Sequence, residues 1–299
     1  MVRASASAKT ILFGEHAVVY GEPAVAIPLK HIRTFVEMKL NQKEFRVISP
    51  KVRLNSSYEN LRPGSAIRKL LDLLMAELDL QELPRDTMYI KSRIPIASGL
   101  GSGAALSTAI IRAMFIRCGR DQEPETVNRL AFEIEKIYHG TPSGVDNTTI
   151  AYEQPICFTK GEGFTPLQAD LSHLHLLVVD TGIRSKTSEV VSDVRLHYED
   201  NKQAIQEIGA LVRQAAAALG TGSAAEIGRL MNENQRLLQA INVSCPELDT
   251  LIGSAISQGA LGAKLTGAGR GGNFLVLARD AEHAGELKKI YEEQGLKVH

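Results

Sequence analysis

Pro95-Ile96-Ala97-Ser98-Gly99-Leu100-Gly101-Ser102-Gly103-Ala104-Ala105-Leu106-Ser107 places glycine at every second position and then enters an unbroken helical pattern. A backbone that must come close to a large anion needs missing Cβ atoms, because a side chain would block the approach. A helix start behind the loop adds N–H groups without intrahelical partners and the positive end of a dipole. Together these read as a phosphate cradle. A glycine turn with a purely structural purpose is the bland alternative. Two common phosphate loops are excluded. Gly99-x-Gly101-x-x-Ala104 resembles a dinucleotide fingerprint, and Asp121 follows about 20 residues on. That fingerprint needs its acid at the end of a second strand, whereas Asp121 sits in the polar turn Gly119-Arg120-Asp121-Gln122-Glu123. No Gly-Lys-Ser/Thr follows the glycines, so the loop is not a Walker A.

Outward from the loop, Thr87–Ser92 alternates as a strand and delivers the chain into it, and Ala104–Cys118 is an apolar helix expected at the centre of its domain. Upstream, Lys9–Phe13, Ala24–Leu29, Thr34–Leu40 and Phe45–Ile48 read as strands. Asn60–Leu78 changes period, with Ile67, Leu70, Leu71, Leu74, Met75 and Leu78 on one helical face opened near Arg62-Pro63-Gly64-Ser65. Downstream, Pro124–Tyr138 is an amphipathic helix with Leu130, Ile134 and Ile137 on one face, ended by Gly140. Thr148–Tyr152 and Pro155–Thr159 are β-prone, and Leu174–Asp180 is a continuous apolar strand. Thr187–Leu219, Ala224–Ala240, Pro246–Gln258 and Ala281–Gln294 read as helices. Gly262–Leu265, Asn273–Leu277 and the closing edge Leu296–Val298 read as strands. Strands and helices mix without a regular βαβ rhythm, which predicts an α+β protein. The Gly161–Gly163 patch divides it into residues 1–162 and 163–299.

The composition excludes several classes. Hydrophobic residues make up 44% of the 299-residue chain, enough for a sizeable core, and the formal net charge is zero. Bulk electrostatics therefore points to neither nucleic acid nor a membrane surface. Cys118, Cys157 and Cys245 are widely spaced, which fits a reducing cytoplasm. No apolar run reaches the roughly 18 residues of a membrane span, and no secretory signal opens the chain.

Four further places carry candidate chemistry. Gly267-Ala268-Gly269-Arg270-Gly271-Gly272 is a second glycine cluster, but it enters a strand, so the dinucleotide reading fails here too. Glu135 lies about one turn before a helix end, and Asp146 lies in the loop beyond it. One carboxylate could hold Mg²⁺ and the other could take a proton from a hydroxyl nucleophile. Two surface acids are the plain alternative. Lys9 reads as a snorkelling edge residue, and His16 as an ordinary polar contact, when each is taken alone.

In combination these residues resemble a family. Residues 5–29, with Phe13-Gly14-Glu15-His16-Ala17-Val18-Val19-Tyr20-Gly21 inside them, are similar to the opening motif of the kinase superfamily named for galactokinase, homoserine kinase, mevalonate kinase and phosphomevalonate kinase. Pro95–Ser107 resembles its ATP-phosphate loop and Lys264–Gly272 its third motif. His139–Thr148 and the pair Met231–Leu238 with Val243–Asp249 are similar to the mevalonate-phosphorylating members.

The resemblance implies a two-lobed α+β fold with a ferredoxin-like C-terminal lobe and an active site in the cleft between lobes. It implies ATP and Mg²⁺ as cofactors and phosphorylation of the mevalonate 5-hydroxyl on the route to isoprenoids. A sister kinase acting on phosphomevalonate or homoserine, or an inactive ligand-binding relative, is the alternative. Asp146 and Lys9 would be catalytic. Pro95, Ser98, Gly99, Leu100, Gly101, Ser102, Gly103 and Ala104 would hold the ATP phosphates, with Glu135 and Ser102 on the metal. Glu15, His16, Thr187, Gly267 and Ala268 would contact substrate. A cytoplasmic homodimer without nucleic-acid or membrane partners is expected. Three positions depart from the family pattern. Ser7-Ala8 replaces Pro-Gly before Lys9, which bears on the aim of that lysine. Gly103 replaces a serine whose hydroxyl contacts the metal in relatives, leaving Ser102 or a water for that role. Arg270 replaces a glycine and would face solvent or phosphate.

Overall fold

The computed structural model describes residues 1–96, 98–140 and 142–299, with His139 described through its backbone alone. The phosphate loop at Ala97 and the His139–Thr148 motif at Thr141 thus lie partly outside the described residues. In chain order the elements are β1 (Val2–Phe13), β2 (Ala24–Lys39), β3 (Arg46–Ser49), β4 (Leu54–Ser57), α1 (Ala66–Glu77), β5 (Thr87–Ser92), α2 (Ser102–Arg117) and α3 (Pro124–His139). There follow α4 (Val145–Tyr152), β6 (Ile156–Thr159), β7 (Gly163–Pro166), β8 (His175–Asp180), α5 (Thr187–Leu196), α6 (Tyr198–Thr221) and α7 (Ala224–Ala240). The last elements are α8 (Pro246–Ser257), β9 (Gly262–Thr266), β10 (Asn273–Ala278), α9 (Ala281–Glu293) and β11 (Lys297–Val298). The mixture is α+β, as the irregular order of strands and helices predicts.

Two compact units are interleaved along the chain. Met1–Lys9, Pro28–Ile96 and Leu100–Glu153 form the first, and Thr10–Ile27, Ala97–Gly99 and Gln154–His299 form the second. The last passage between them falls at Glu153 and Gln154, upstream of the Gly161–Gly163 turn. A boundary drawn from composition assumes that domains follow one another in sequence, whereas β1 and β2 each contribute to both units.

In the first unit β2 runs antiparallel to β5, from Thr34 opposite Ser92 to Lys39 opposite Thr87. β3 joins β5 in parallel, and β4 closes that edge antiparallel to β3. Helices α1 to α4 pack together beside these strands. Their centre is α2, buried along Ala104, Ala105, Ala109, Ile110, Ile111, Ala113 and Met114, because it is apolar on all sides. Ser65 caps α1 by accepting from the Arg68 N–H at 3.4 Å, and Leu70, Leu71 and Leu74 form its buried face.

α4 corrects an expectation, since its β-branched residues Thr148, Thr149 and Ile150 favour a strand. Tertiary contacts override that preference. Gly144 takes a left-handed N-cap at φ 98°, and Thr149 Oγ1 donates to the Val145 carbonyl at 2.7 Å. From α3, the Asn128 side chain accepts from the Asn147 amide and from Thr148 Oγ1. At the far end of α4, Glu153 Oε1 accepts from the Ser7 N–H at 3.1 Å, Arg112 at 3.0 Å and Arg33 at 2.7 Å. Arg112 also donates to the Ser5 and Ala151 carbonyls, both at 2.9 Å. These bonds tie β1 to α4 and so fix the two elements that carry Lys9 and Asp146.

The second unit holds a four-stranded antiparallel sheet in the order β11-β8-β10-β9. Every residue of β9 and β10 is buried. Helices α7 and α8 pack on β9, and α9 packs on β8 and β10. Ala24 to Ala26 of β2 pair with β6, and β6 pairs with β7. The single helix expected over Thr187–Leu219 is two, α5 and α6, parted at His197, where φ is −105° and ψ is 28°. α7 meets β9 through glycines. A Cβ on Gly228 would lie 2.4 Å from the Leu261 carbonyl oxygen, and one on Gly262 would lie 2.4 Å from that of Gly228. Because backbone, not a flexible side chain, stands in the way, Gly228→Ala is expected to cost about 1–3 kcal/mol. Urea denaturation checks this, and an unchanged midpoint would contradict it.

Candidate active site

Lys9 sits in β1 with its side chain 3% exposed, and its Nζ lies 2.7 Å from Asp146 Oδ1. Three features place it. Its backbone N–H donates to the Leu100 carbonyl at 3.1 Å. Gly101 caps α2 in the left-handed region at φ 70°, and a Cβ there would lie 3.0 Å from Lys9 Cγ and 2.8 Å from Ile150 Cδ1. Ser7 and Ala8, where relatives carry Pro-Gly, are fully buried and continue the strand, so that departure leaves Lys9 aimed at Asp146. Gly101 thus makes room for the lysine stem. Asp146 lies in the first turn of α4, where a carboxylate is favoured by the helix dipole.

Gly101 offers no side-chain cap, no acid lies in the first turn of α2, and Ala105 N–H donates to the Gly101 carbonyl at 2.9 Å. The N–H groups of Ser102, Gly103 and Ala104 therefore precede the regular ladder and face the helix end. Glu135, on α3, is 2% exposed and approaches this turn, since a Cβ on Gly103 would lie 3.0 Å from its Oε1. Burial, and secondarily the Asp146 carboxylate, push the Glu135 carboxyl up to about 8 against the opposing pull of Lys9. Burial thus lets Glu135 hold its proton to higher pH than an ordinary glutamate does.

A second cluster lies in the second unit. Glu15 and Lys264 are 1% and 0% exposed and form an ion pair, and Lys264 also donates to the Leu265 carbonyl at 2.7 Å. Burial holds the Lys264 ammonium below the ordinary lysine range, with Glu15 counteracting. The Glu15 carboxylate, expected to touch substrate, is enclosed beside Lys264. Next to it, His16 adopts φ 62° and ψ −45°, and its Nε2 lies 2.9 Å from the Ala268 carbonyl oxygen. A carbonyl only accepts, so Nε2 carries the proton. Burial, with help from the Arg270 and Lys264 charges, lowers the His16 imidazole to about 4, and the ring is neutral with an unprotonated Nδ1.

The glycine cluster after β9 owes its composition to close backbone approach. A Cβ on Gly269 would lie 2.0 Å from the Val243 carbonyl oxygen, and one on Gly271 would lie 2.8 Å from that of Ile183. Residues 181–185 lace onto this loop. Thr181 N–H donates to the Gly272 carbonyl and Gly272 N–H to the Ile183 carbonyl, both at 2.9 Å, and Ser185 Oγ donates to the Gly269 carbonyl at 2.7 Å. Gly99 and Gly267 are a matched close approach, since a Cβ on either would lie 3.3 or 3.4 Å from the other's Cα. The buried Asn273 amide donates to the Ser98 carbonyl. Thr187 is exposed at the first residue of α5. Arg270 is 30% exposed and its guanidinium is engaged within the second unit. It donates to the Asn242 carbonyl at 3.2 and 3.0 Å and pairs with Asp193, which secures a left-handed residue at φ 52°.

Within the first unit the structure gathers Lys9, Asp146, Glu135, Leu100, Gly101, Ser102, Gly103 and Ala104. Within the second it gathers Glu15, His16, Gly267 and Ala268, and separately Ser98 and Gly99. Pro95 is half-buried just before the loop. Sequence reasoning missed Lys264 as the partner of Glu15, Asn273 as the donor to Ser98, and Tyr138, whose ring carbons approach the Gly103 position. The lone lysine in the otherwise apolar Gly262–Leu265 run was a usable signal for the first. Nothing local marked the other two.

The sequence pattern of the GHMP kinases N terminal domain matches residues 65–154, and that of the GHMP kinases C terminal domain matches residues 215–296. The mevalonate kinase of Thermococcus sibiricus is 35% identical over 306 residues, which span 94% of this chain and 90% of that one. Among solved structures, the Methanococcus jannaschii mevalonate kinase matches with a TM-score of 0.88 at 26% identity, covering 99% of this chain and 96% of that one. The L. major mevalonate kinase in complex with R-mevalonate matches with a TM-score of 0.83 at 32% identity, covering 98% and 92%.

Two titrations follow from the geometry. Native Glu135 keeps a proton that an unfolded glutamate loses above its ordinary value of 4.5, so stability falls as pH rises from 4.5 to about 8. Glu135→Gln is expected to flatten this decline, worth on the order of a few kcal/mol, in melting curves taken in chelator. A parallel pH dependence in both proteins would contradict the assignment. His16 has the opposite sign, because its lowered value makes stability fall as pH drops from 6.5 towards 4. Its ring resonances are expected not to titrate between about pH 5.5 and 8 by NMR. A midpoint near the ordinary histidine value would contradict that.

Proposed function

The chain belongs to the GHMP kinase family, and on that premise we propose that it transfers the terminal phosphoryl group of ATP to the 5-hydroxyl of (R)-mevalonate. ATP use follows from the family. The substrate is supported by the mevalonate kinases among its relatives. The observation that carries the chemistry is the Lys9–Asp146 pair beside the α2 start.

Asp146 accepts the proton of the 5-hydroxyl as that oxygen bonds to the terminal phosphorus and the bond from phosphorus to the ADP oxygen breaks. Lys9 supplies a fixed positive charge against the developing alkoxide and the transferring group. Such a reaction asks for alignment and charge neutralisation more than covalent help. The N–H groups of Ser102, Gly103 and Ala104 and the α2 dipole take the phosphate oxygens. Pro95, Ser98, Gly99, Leu100 and Gly101 complete the assigned phosphate contacts.

The donor set fits Mg²⁺. Among the described residues no group of three or more His, Cys, Asp or Glu side chains converges as a metal cage. A magnesium ion binds few protein carboxylates and takes its other ligands from phosphates and water. A cation beside Glu135 would favour the carboxylate form that burial disfavours. Glu135 and Ser102 would hold the ion, which when bound neutralises phosphate charge.

For the substrate, His16 offers Nδ1 as an acceptor for a hydroxyl, and Glu15, held by Lys264, is assigned to the same substrate. Gly267, Ala268 and Thr187 are assigned to the same substrate. A cytoplasmic location and a homodimer belong to the proposal too. The first is supported by Cys118, Cys157 and Cys245, all without disulfides, and the second by family resemblance.

ADP release measured with mevalonate, phosphomevalonate, homoserine and galactose tests the substrate. Mevalonate is expected to give the highest kcat/KM, and preference for another acceptor, or no turnover at all, would overturn the reading. Asp146→Asn is expected to lower kcat by about 10²–10⁴-fold while ADP affinity changes little. Retained kcat would remove Asp146 as the base.

A further inference from the structure

Gly103 lies inside α2, outside the left-handed region, so its own backbone does not require glycine. A glycine inside a helix costs about 1 kcal/mol relative to alanine. Its neighbours supply the reason for it. A Cβ on Gly103 would lie 3.0 Å from Glu135 Oε1 and 3.2 and 3.3 Å from Tyr138 Cδ2 and Cε2. Both residues come from α3 at a spacing of three, so they share one face of that helix and meet α2 at its first turn. The two differ in freedom. Glu135 is 2% exposed, whereas Tyr138 is 46% exposed in the last turn of its helix. The apolar face of α3 has ended by then, since Leu130 and Ile134 are buried and Ile137 is exposed. The Tyr138 ring therefore reaches Gly103 from a solvent-facing turn.

We propose that Gly103 and Tyr138 are a matched pair, in which the Tyr138 ring takes the volume a side chain at position 103 would fill and thereby fixes the Glu135 carboxylate against the α2 start. The proposal rests on the nucleotide reading given above and deepens it. Tyr138 is a positioning residue, acting through Glu135. In this chain a serine at position 103 does not simply restore the family's hydroxyl. It crowds the ring and the Glu135 carboxylate, which must give by a few tenths of an ångström, and Glu135 is 2% exposed. The contact at Gly103 is made by the ring carbons Cδ2 and Cε2, so the role is assigned to the ring.

Calorimetric titration of the full chain with ADP, in the presence of Mg²⁺ and in chelator, tests the pair. The chain has seven tyrosines and no tryptophan, so tyrosine fluorescence gives a second readout. With Mg²⁺, Gly103→Ser and Tyr138→Ala are each expected to weaken ADP binding by about tenfold, and Tyr138→Phe by less than about twofold. In chelator, Tyr138→Ala is expected to leave ADP affinity within about twofold of the parent, which a general loss of structure would not do. The double variant Gly103→Ser/Tyr138→Ala is expected to bind Mg²⁺ and ADP more tightly than Gly103→Ser alone. Additive losses, or parental affinity in Gly103→Ser, would overturn the pair. If Gly103→Ser does not fold, recovery of folding in the double variant supports the crowding by Tyr138, and failure of both overturns it. A parent that binds no ADP under either condition defeats the nucleotide reading itself, which is distinguishable from a binding parent with additive variants.

Discussion

The contact on which the first unit's proposed chemistry depends is the 2.7 Å pair between Lys9 and Asp146. An ammonium 3% exposed is expensive to bury alone, and its partner must arrive from another element with little tolerance. β1 supplies the lysine and α4 the carboxylate. Glu153 and Arg112 bind those two elements to each other through Ser5, Ser7 and Ala151. The Leu100 carbonyl and the missing Cβ of Gly101 then set the lysine beside the start of α2. A network that looks like surface charge pairing is in this way the frame of the Lys9–Asp146 pair.

The second unit solves a different problem. Its glycines serve backbone against backbone, at Gly269 against Val243, at Gly271 against Ile183 and at Gly228 against Leu261. Lys264 and Glu15 neutralise each other in the interior, and His16 is held neutral beside them. Removing either member of that ion pair would strand the other, so the two residues behave as one unit. Arg270 shows how a left-handed position can be filled without glycine, given a carbonyl and a carboxylate to receive the guanidinium.

Much of this was legible in the chain. α2 announced itself by being apolar all round, and α1 by its cap and its leucine face. What was not legible depended on partners distant in sequence. Thr148, Thr149 and Ile150 carry strand propensity, and only Asn128 and the left-handed Gly144 make them helical. Nothing near Gly103 tells that Tyr138 fills its space, because the two meet only when α3 folds against α2. The interleaving of the two units was equally hidden, since β1 and β2 show no composition change where they pass from one to the other.

A structure of the enzyme with R-mevalonate and a non-hydrolysable ATP analogue tests the central claim most directly. The account predicts the 5-hydroxyl within about 3.2 Å of Asp146, with Lys9 beside it and the phosphates on the N–H groups that open α2. A 5-hydroxyl remote from both Asp146 and Lys9, or phosphates bound away from that helix start, would contradict it.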